Sequence, residues 1–378
     1  MGGSRHQEME THAPPPFALG PRSDRVGRAA RQAVLTSGRW TAVMLGLGAA
    51  AILMMAVCLQ FGAERIGVGE IARILLHAAV GDRDAVLSES VGVIVLEIRL
   101  PRVLLGFLVG SCLAGVGVAL QALLRNPLAD PYVLGISSGA ALGAAVAVLL
   151  GAGTSWLGAW TLPAFAFGGG LLAILLVYRI AVSYGRLPVH TLLLAGVILN
   201  AVFSALIMFI TSLVSPAQSF AMLAWLMGTL NAPDHGALAI LTAYLVVGGL
   251  VLLRQARVLD LLTLGEDGAR SLGVEVESVK KTLFFTSALL TGAVVSQSGM
   301  IGFIGMVVPH AVRLVLGADH RLLLPASALV GGAFLVAADT LARTLLVPGE
   351  MPVGVITALV GGPFFLYLLM RKTAGLGV

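Results

Sequence analysis

Apolar runs of membrane-crossing length recur along the chain, separated by short polar breaks. They fall at 41–60, 101–122, 134–151, 160–181, 191–214, 236–253, 282–298, 302–317, 322–346 and 352–370. A helix needs about 20 apolar residues to cross the ~30 Å hydrocarbon layer of a bilayer. The pattern therefore predicts an all-α, polytopic membrane protein of about ten transmembrane helices, with the third, seventh and eighth runs the shortest or most interrupted by Gly and Pro. An even number of spans puts both termini on one side.

The breaks organise the chain. Residues 1–38 carry Pro14, Pro15, Pro16 and scattered arginines with no apolar periodicity, which predicts a disordered basic tail. The run from Thr41 to Leu59 is long for a signal-peptide core and lacks a small-x-small cleavage site, so it reads as a retained first helix. A membrane domain over 39–373 follows, with 374–378 as the C-terminal end. Two stretches inside it do not span: 61–98, amphipathic around Ile71 to Ala79, and 255–281, polar and punctuated by Gly265, Gly268 and Gly273.

Composition agrees with the pattern: 58% of residues are hydrophobic and 11% charged, where soluble domains carry about 25% charged residues. The net charge of +5 acquires meaning from where the charges sit, because cytoplasmic loops of membrane proteins hold the excess of Lys and Arg. With the N-terminus inside, only Arg65, Arg73, Arg83, Arg99, Arg102 and Arg343 of the 24 Lys and Arg fall outside. Both termini are thereby expected in the cytoplasm, and a nucleic-acid role for the positive charge is removed. Cys58 and Cys112 lie singly inside apolar runs and predict core packing, with no disulfide or metal cluster. Glycine is frequent, with 47 residues, and its concentration inside spans predicts close helix packing.

The stretch from Arg99 to Ala140 holds the densest chemistry. Pro101 suits a first helical turn, and Arg99 and Arg102, three apart, share a face at the outer edge. There they either present guanidinium groups to carboxylates or anchor the helix end. Arg125-Asn126-Pro127-Leu128-Ala129-Asp130-Pro131 is a stiff inner turn, because each proline disfavours helical geometry in the residue before it. The run Gly135 to Ala140, small and hydroxyl-bearing, is suited to line an aqueous route. Gly135, Ser137, Ser138 and Gly139, with Asn200 of the fifth span, are assigned to that pathway.

The ordered motifs RLPR, QALLRNPLADP, LGISSGA, LLLAGV, WLMG, GEDGAR with LGVEV, GFIGMVVPHAVRL, DHRLLLP and MPVGVITALVGGPFF resemble the FecCD family of transport permeases from about residue 45 to 371. The resemblance implies a multi-pass protein of the bacterial inner membrane, a homodimer in contact with membrane lipid. It implies two cytoplasmic ATP-binding subunits below, a periplasmic substrate-binding protein above, and import of ferric siderophore, haem or cobalamin. By the same resemblance, Arg99, Arg102 and Arg343 dock acidic residues of the binding protein, with Asp339 orienting Arg343. Asn126, Pro127 and Leu128 form a cytoplasmic gate. Leu264, Gly265, Glu266, Ala269, Arg270, Leu272 and Gly273 couple to the ATPase. Trp225 to Gly228 reads as a packed outer re-entrant piece.

His310 and His320 have no second ligand at metal spacing and read as structural hydrogen-bonding residues. No cofactor, metal site or catalytic residue is expected, since no nucleophile stands beside a base and no carboxylates cluster. The missing G-x-x-x-x-G-K-[ST] pattern assigns ATP hydrolysis to a separate subunit. The competing reading is an ion-coupled secondary transporter, which requires ionisable groups at mid-membrane; no span has an acidic residue near its centre.

Overall fold

The computed structural model describes residues 36–62, 64–151, 158–346 and 349–373. The predicted tail, up to residue 35, and the terminal residues 374–378 lie outside the described residues. Each of the ten apolar runs is a helix: α1 (Ser37–Gln60), α2 (Leu100–Leu123), α3 (Ile136–Leu149), α4 (Thr161–Ala181), α5 (Val189–Leu213), α6 (His235–Arg254), α7 (Val276–Ser298), α8 (Ile304–Leu316), α9 (His320–Thr344) and α10 (Val353–Thr373).

Local chemistry sets their ends. Thr36 caps α1 by accepting from the Arg39 N–H, and Asp234 caps α6 by accepting from Ala237 N–H at 2.8 Å. Pro101 occupies the first turn of α2. Helices α3 and α8 have 14 and 13 residues, so each is only about 20 Å long at 1.5 Å per residue. Their N-terminal turns are enclosed by neighbouring helices, Ile136, Ser137, Ile304 and Val308 being buried, while Leu149 and Leu314 near their C-terminal ends are exposed.

Helix α2 is the centre of the bundle. The most apolar stretch of Ser90–Leu123 is 78% buried, against 17% for α1 and α6 and 28% for α5. Glycine makes this possible. A Cβ on Gly117 would stand 1.9 Å from the carbonyl oxygen of Gly305 in α8, so backbone meets backbone there and no larger residue fits.

Smaller elements complete the outer side. Helix Val68–Val80 buries Ile71 and Ile74 in an apolar cluster with Cys58, Leu59 and Val103, as the amphipathic pattern predicts. A π-helical stretch, Ile94–Arg99, runs straight into α2. Helix Pro216–Leu226 starts with a capping box between Ser215 and Gln218. The turn after it is packed, since Thr229 N–H donates to the Ser298 carbonyl at 2.9 Å. On the inner side, 255–281 folds into helices Ala256–Leu262 and Glu266–Ser271 before entering α7.

Candidate functional site

At the outer face the π-helical stretch swings Arg99 inward. Its side chain is buried, and Nη1 donates to the carbonyls of Leu59 at 3.0 Å and Gln60 at 3.1 Å, while Nη2 reaches the Glu64 carbonyl. A cation on the last carbonyls of α1 satisfies acceptors that the helix cannot. Within this chain Arg99 ties the start of α2 to the end of α1.

Arg102 and Arg343 converge on one carboxylate. Arg102 donates from Nη2 to Asp339 Oδ1 at 3.0 Å and from Nε to Oδ2 at 3.1 Å; Arg343 Nε lies 3.1 Å from Oδ2. The i,i+4 pair expected between Asp339 and Arg343 is present. Arg102 gives its remaining Nη1 to Glu350 Oε2 at 2.9 Å, and the Glu350 side chain is 57% exposed against 14% for Arg102. Glu350 was invisible to sequence reading, since only the short 349–352 connection brings it over the end of α2. The result is a mostly buried cation–anion–cation core with one solvent-facing edge.

At the inner face, Arg125 adopts φ 47°, a left-handed conformation costing about 1–2 kcal/mol for a side-chain-bearing residue. Asn126 then closes the turn, its Oδ1 accepting from Leu128 N–H at 3.0 Å and its carbonyl from Ala129 N–H at 3.0 Å. Asn126, Pro127 and Leu128 are exposed on the cytoplasmic surface. Asp130 accepts from Tyr132 N–H at 2.9 Å, and its burial pushes the carboxyl up to about 6.

The five residues assigned to the pathway hold α3 in place. Ser138 Oγ bonds Asn200 Oδ1 and the Gly135 carbonyl, and Asn200 Nδ2 donates to the Tyr132 carbonyl at 3.1 Å, tying the start of α3 to α5. Gly135 takes φ 79° to make the bend. Ser137 is buried, and a Cβ on Gly139 would stand 2.4 Å from the Ala173 Cβ of α4. Within one subunit Ser137 and Gly139 are buried packing positions.

The inner segment is a braced platform. Lys280, buried in α7, lies 3.2 Å from Glu266 Oε1 and 2.8 Å from Glu277 Oε1, and Arg270 reaches Glu266, Asp267 and Glu277. Glu277 Oε2 also accepts from Leu187 N–H at 2.8 Å, fastening the platform to the loop between α4 and α5. Leu264 and Leu272 stand out from it, 67% and 59% exposed. Gly265 and Gly273, beside them, take φ 104° and 83°. Ala269 points the other way and is fully buried, so it belongs to the support and not to the presented face.

A cavity of about 540 Å³ opens between this platform and the Asn126 turn, lined among others by Gln121, Arg125, Asn126, Asp260, Arg313 and His320. Among the described residues no group of three or more His, Cys, Asp or Glu could hold a metal ion.

The chain resembles proteins of known assignment over most of its length. It is 48% identical over 290 residues to the cobalamin import system permease protein BtuC of Halobacterium salinarum, covering 76% of each chain. It is 40% identical over 332 residues to the hemin transport system permease protein HmuU of Yersinia pestis, covering 87% of this chain and 96% of that one. The fold superposes with a TM-score of 0.74 and 28% identity on a metal-chelate type ABC transporter solved in an inward-facing conformation, covering 88% of this chain and 99% of the other. The model of the FecCD transport family matches residues 49–371. With ten helices in the expected order and the motifs on both faces of the bundle, the chain belongs to the FecCD transport family.

Proposed function

We propose that the chain is the membrane-spanning permease subunit of a binding-protein-dependent importer of the bacterial inner membrane, driven by ATP hydrolysis on separate subunits. It carries an iron complex, ferric siderophore or haem, or cobalamin. The observation that carries this reading is the inner platform, where two exposed leucines stand on a loop braced by ion pairs to the buried Lys280. A loop with no partner gains nothing from exposing Leu264 and Leu272 on so stiff a support, whereas a docking element needs both features.

Two copies of the chain enclose the path, two ATP-binding subunits sit beneath the platforms, and a periplasmic binding protein docks above, near Arg102 and Arg343. Closure of the ATPase pair moves the platforms, and the turn at Asn126, Pro127 and Leu128 opens and closes the inner mouth. An ion-coupled mechanism is disfavoured by Asp339, the acidic residue within α9, because two arginines already neutralise it.

The test is uptake into proteoliposomes containing this chain with its ATP-binding subunit and binding protein, comparing ferric siderophore, haem and cobalamin. ATP-dependent accumulation of one ligand is expected. Leu264→Asp with Leu272→Asp abolishes it and releases the ATP-binding subunit on purification. Accumulation driven by an ion gradient without ATP overturns the proposal.

A further inference from the structure

The cavity beside the gate turn contains two cations without counter-ions. Arg313 is partly buried, and its Nη2 donates to the neutral Gln121 Oε1 at 3.1 Å. Arg125 extends toward the platform, its Nη1 3.6 Å from where a Cβ on Gly265 would stand. Among the described residues neither arginine lies within ion-pair distance of a carboxylate.

The carboxylates lining the same cavity are already engaged. Asp319 Oδ1 accepts from the backbone N–H and Nε of Arg321, each at 3.0 Å, and Oδ2 accepts from Arg321 Nη2. Asp260 Oδ1 accepts twice from His320, from the backbone N–H at 3.0 Å and from Nδ1 at 2.6 Å. Asp319 is paired with Arg321 and Asp260 with His320, so neither carboxylate is paired with Arg125 or Arg313. An arginine taken partly out of water without an anion is costly, and its planar fork matches the oxygens of a phosphate group.

Position narrows the class further. Arg313 is followed by Leu314 and Val315, 52% and 79% exposed, so the cavity lies where the lipid-facing side of α8 gives way to the cytoplasm. Basic pockets between helices at the cytoplasmic membrane edge suit anionic lipid headgroups. We propose that this cavity binds a phosphate oxyanion between Arg125 of the gate turn and Arg313 of α8. The phosphate comes from an anionic phospholipid of the inner leaflet or from the cytoplasm. Bound there, it ties the gate turn to α8 beside the coupling segment. The inference stands on this chain alone and does not depend on which substrate is carried.

The experiment uses the purified full chain in neutral detergent. Native mass spectrometry measures binding of phosphatidylglycerol and of phosphatidylcholine, and thermal unfolding is followed with and without inorganic phosphate. The wild type is expected to retain phosphatidylglycerol over phosphatidylcholine if the headgroup is the source, or to be stabilised by inorganic phosphate if the anion is free. In either case Arg313→Gln and Arg125→Gln each weaken the effect about tenfold, the scale of one lost charge-assisted contact, and Arg313→Lys restores part of it. The Arg125 variant, at an exposed position, guards against a folding defect at 313. No preference for either phosphate source in the wild type, or the same preference in both Gln variants, overturns the proposal.

Discussion

His320 and Asp260 are 60 positions apart in the chain and joined twice, the imidazole Nδ1 at 2.6 Å and the backbone N–H at 3.0 Å from the same carboxylate oxygen. Asp260 belongs to the inner helix Ala256–Leu262, and His320 is the first residue of α9, whose far end carries Asp339 and Arg343. One continuous helix thus runs from the coupling segment to the outer ion cluster. Asp260→Asn keeps an acceptor for the backbone N–H and weakens the imidazole bond. In the assembled transporter, stimulation of ATPase activity by the loaded binding protein is expected to fall at least about tenfold, the lower end of a lost charged hydrogen bond's roughly 1.5–3 kcal/mol, while ATPase activity without binding protein changes little. Equal loss of both activities contradicts the linkage.

The outer cluster predicts opposite effects at two acids. Asp339→Asn leaves Arg102 and Arg343 facing each other with no buried counter-charge, a loss of about 3–5 kcal/mol, measured as a collapse of thermal stability in detergent. Glu350→Gln frees the solvent-facing edge of Arg102. If acidic residues of the binding protein use that edge, affinity rises by up to about fivefold, the worth of an exposed ion pair near 1 kcal/mol; titration of the binding protein onto the purified transporter reads it.

At the centre of the bundle, Gly117→Ala places a methyl group 1.9 Å from the Gly305 carbonyl oxygen. Helices α2 and α8 must separate, so reduced membrane accumulation and a lower midpoint of thermal unfolding are expected. Gly115→Ala is the control, because nothing lies within 4 Å of a Cβ there. It should behave as wild type.

Asp130 gives a pH dependence with a defined sign. Its carboxyl is raised from 3.8 to about 6 by burial, so between those values the folded chain holds a proton that the unfolded chain has released. Stability contributed at this site therefore falls as pH rises through that window and is level above it. Asp130→Asn keeps an oxygen for Tyr132 N–H and removes the slope. Melting temperatures of wild type and variant, compared from pH 4 to 7, check it; a parallel pair of curves contradicts the assignment.

The ten helices were legible because each apolar run is bounded by chemistry that ends helices, such as Pro101 at the start of α2 and Asp234 before α6. The shortness of α3 and α8 was visible, but not that their N-terminal turns are enclosed in protein, since hydropathy does not distinguish a lipid neighbour from a leucine neighbour. The arginines of RLPR illustrate the limit. Spacing puts Arg99 and Arg102 on one face of an α-helix, but the Arg99 side chain reaches the carbonyls at the end of α1 while that of Arg102 reaches Asp339, partners that no local pattern announces. Lys280 was counted only as a cytoplasmic charge, and its burial between Glu266 and Glu277 depends on how the platform folds back onto α7. Glu350 carried no local signal at all.

The close backbone meeting of α2 with α8 through Gly117 and Gly305 bears on how such a molecule moves. Carbonyls in contact with glycine leave no side chains between the helices to repack, so α2 and α8 cannot slide or tilt against each other by rotamer changes. Motion is displaced to the turns at the helix ends, the Asn126 turn among them, and to the sparsely covered α1, α5 and α6 and the loops they carry. Crosslinks or spectroscopic distance labels joining α2 to α8 would be silent through a transport cycle, and the informative pairs are those with one label on the rim.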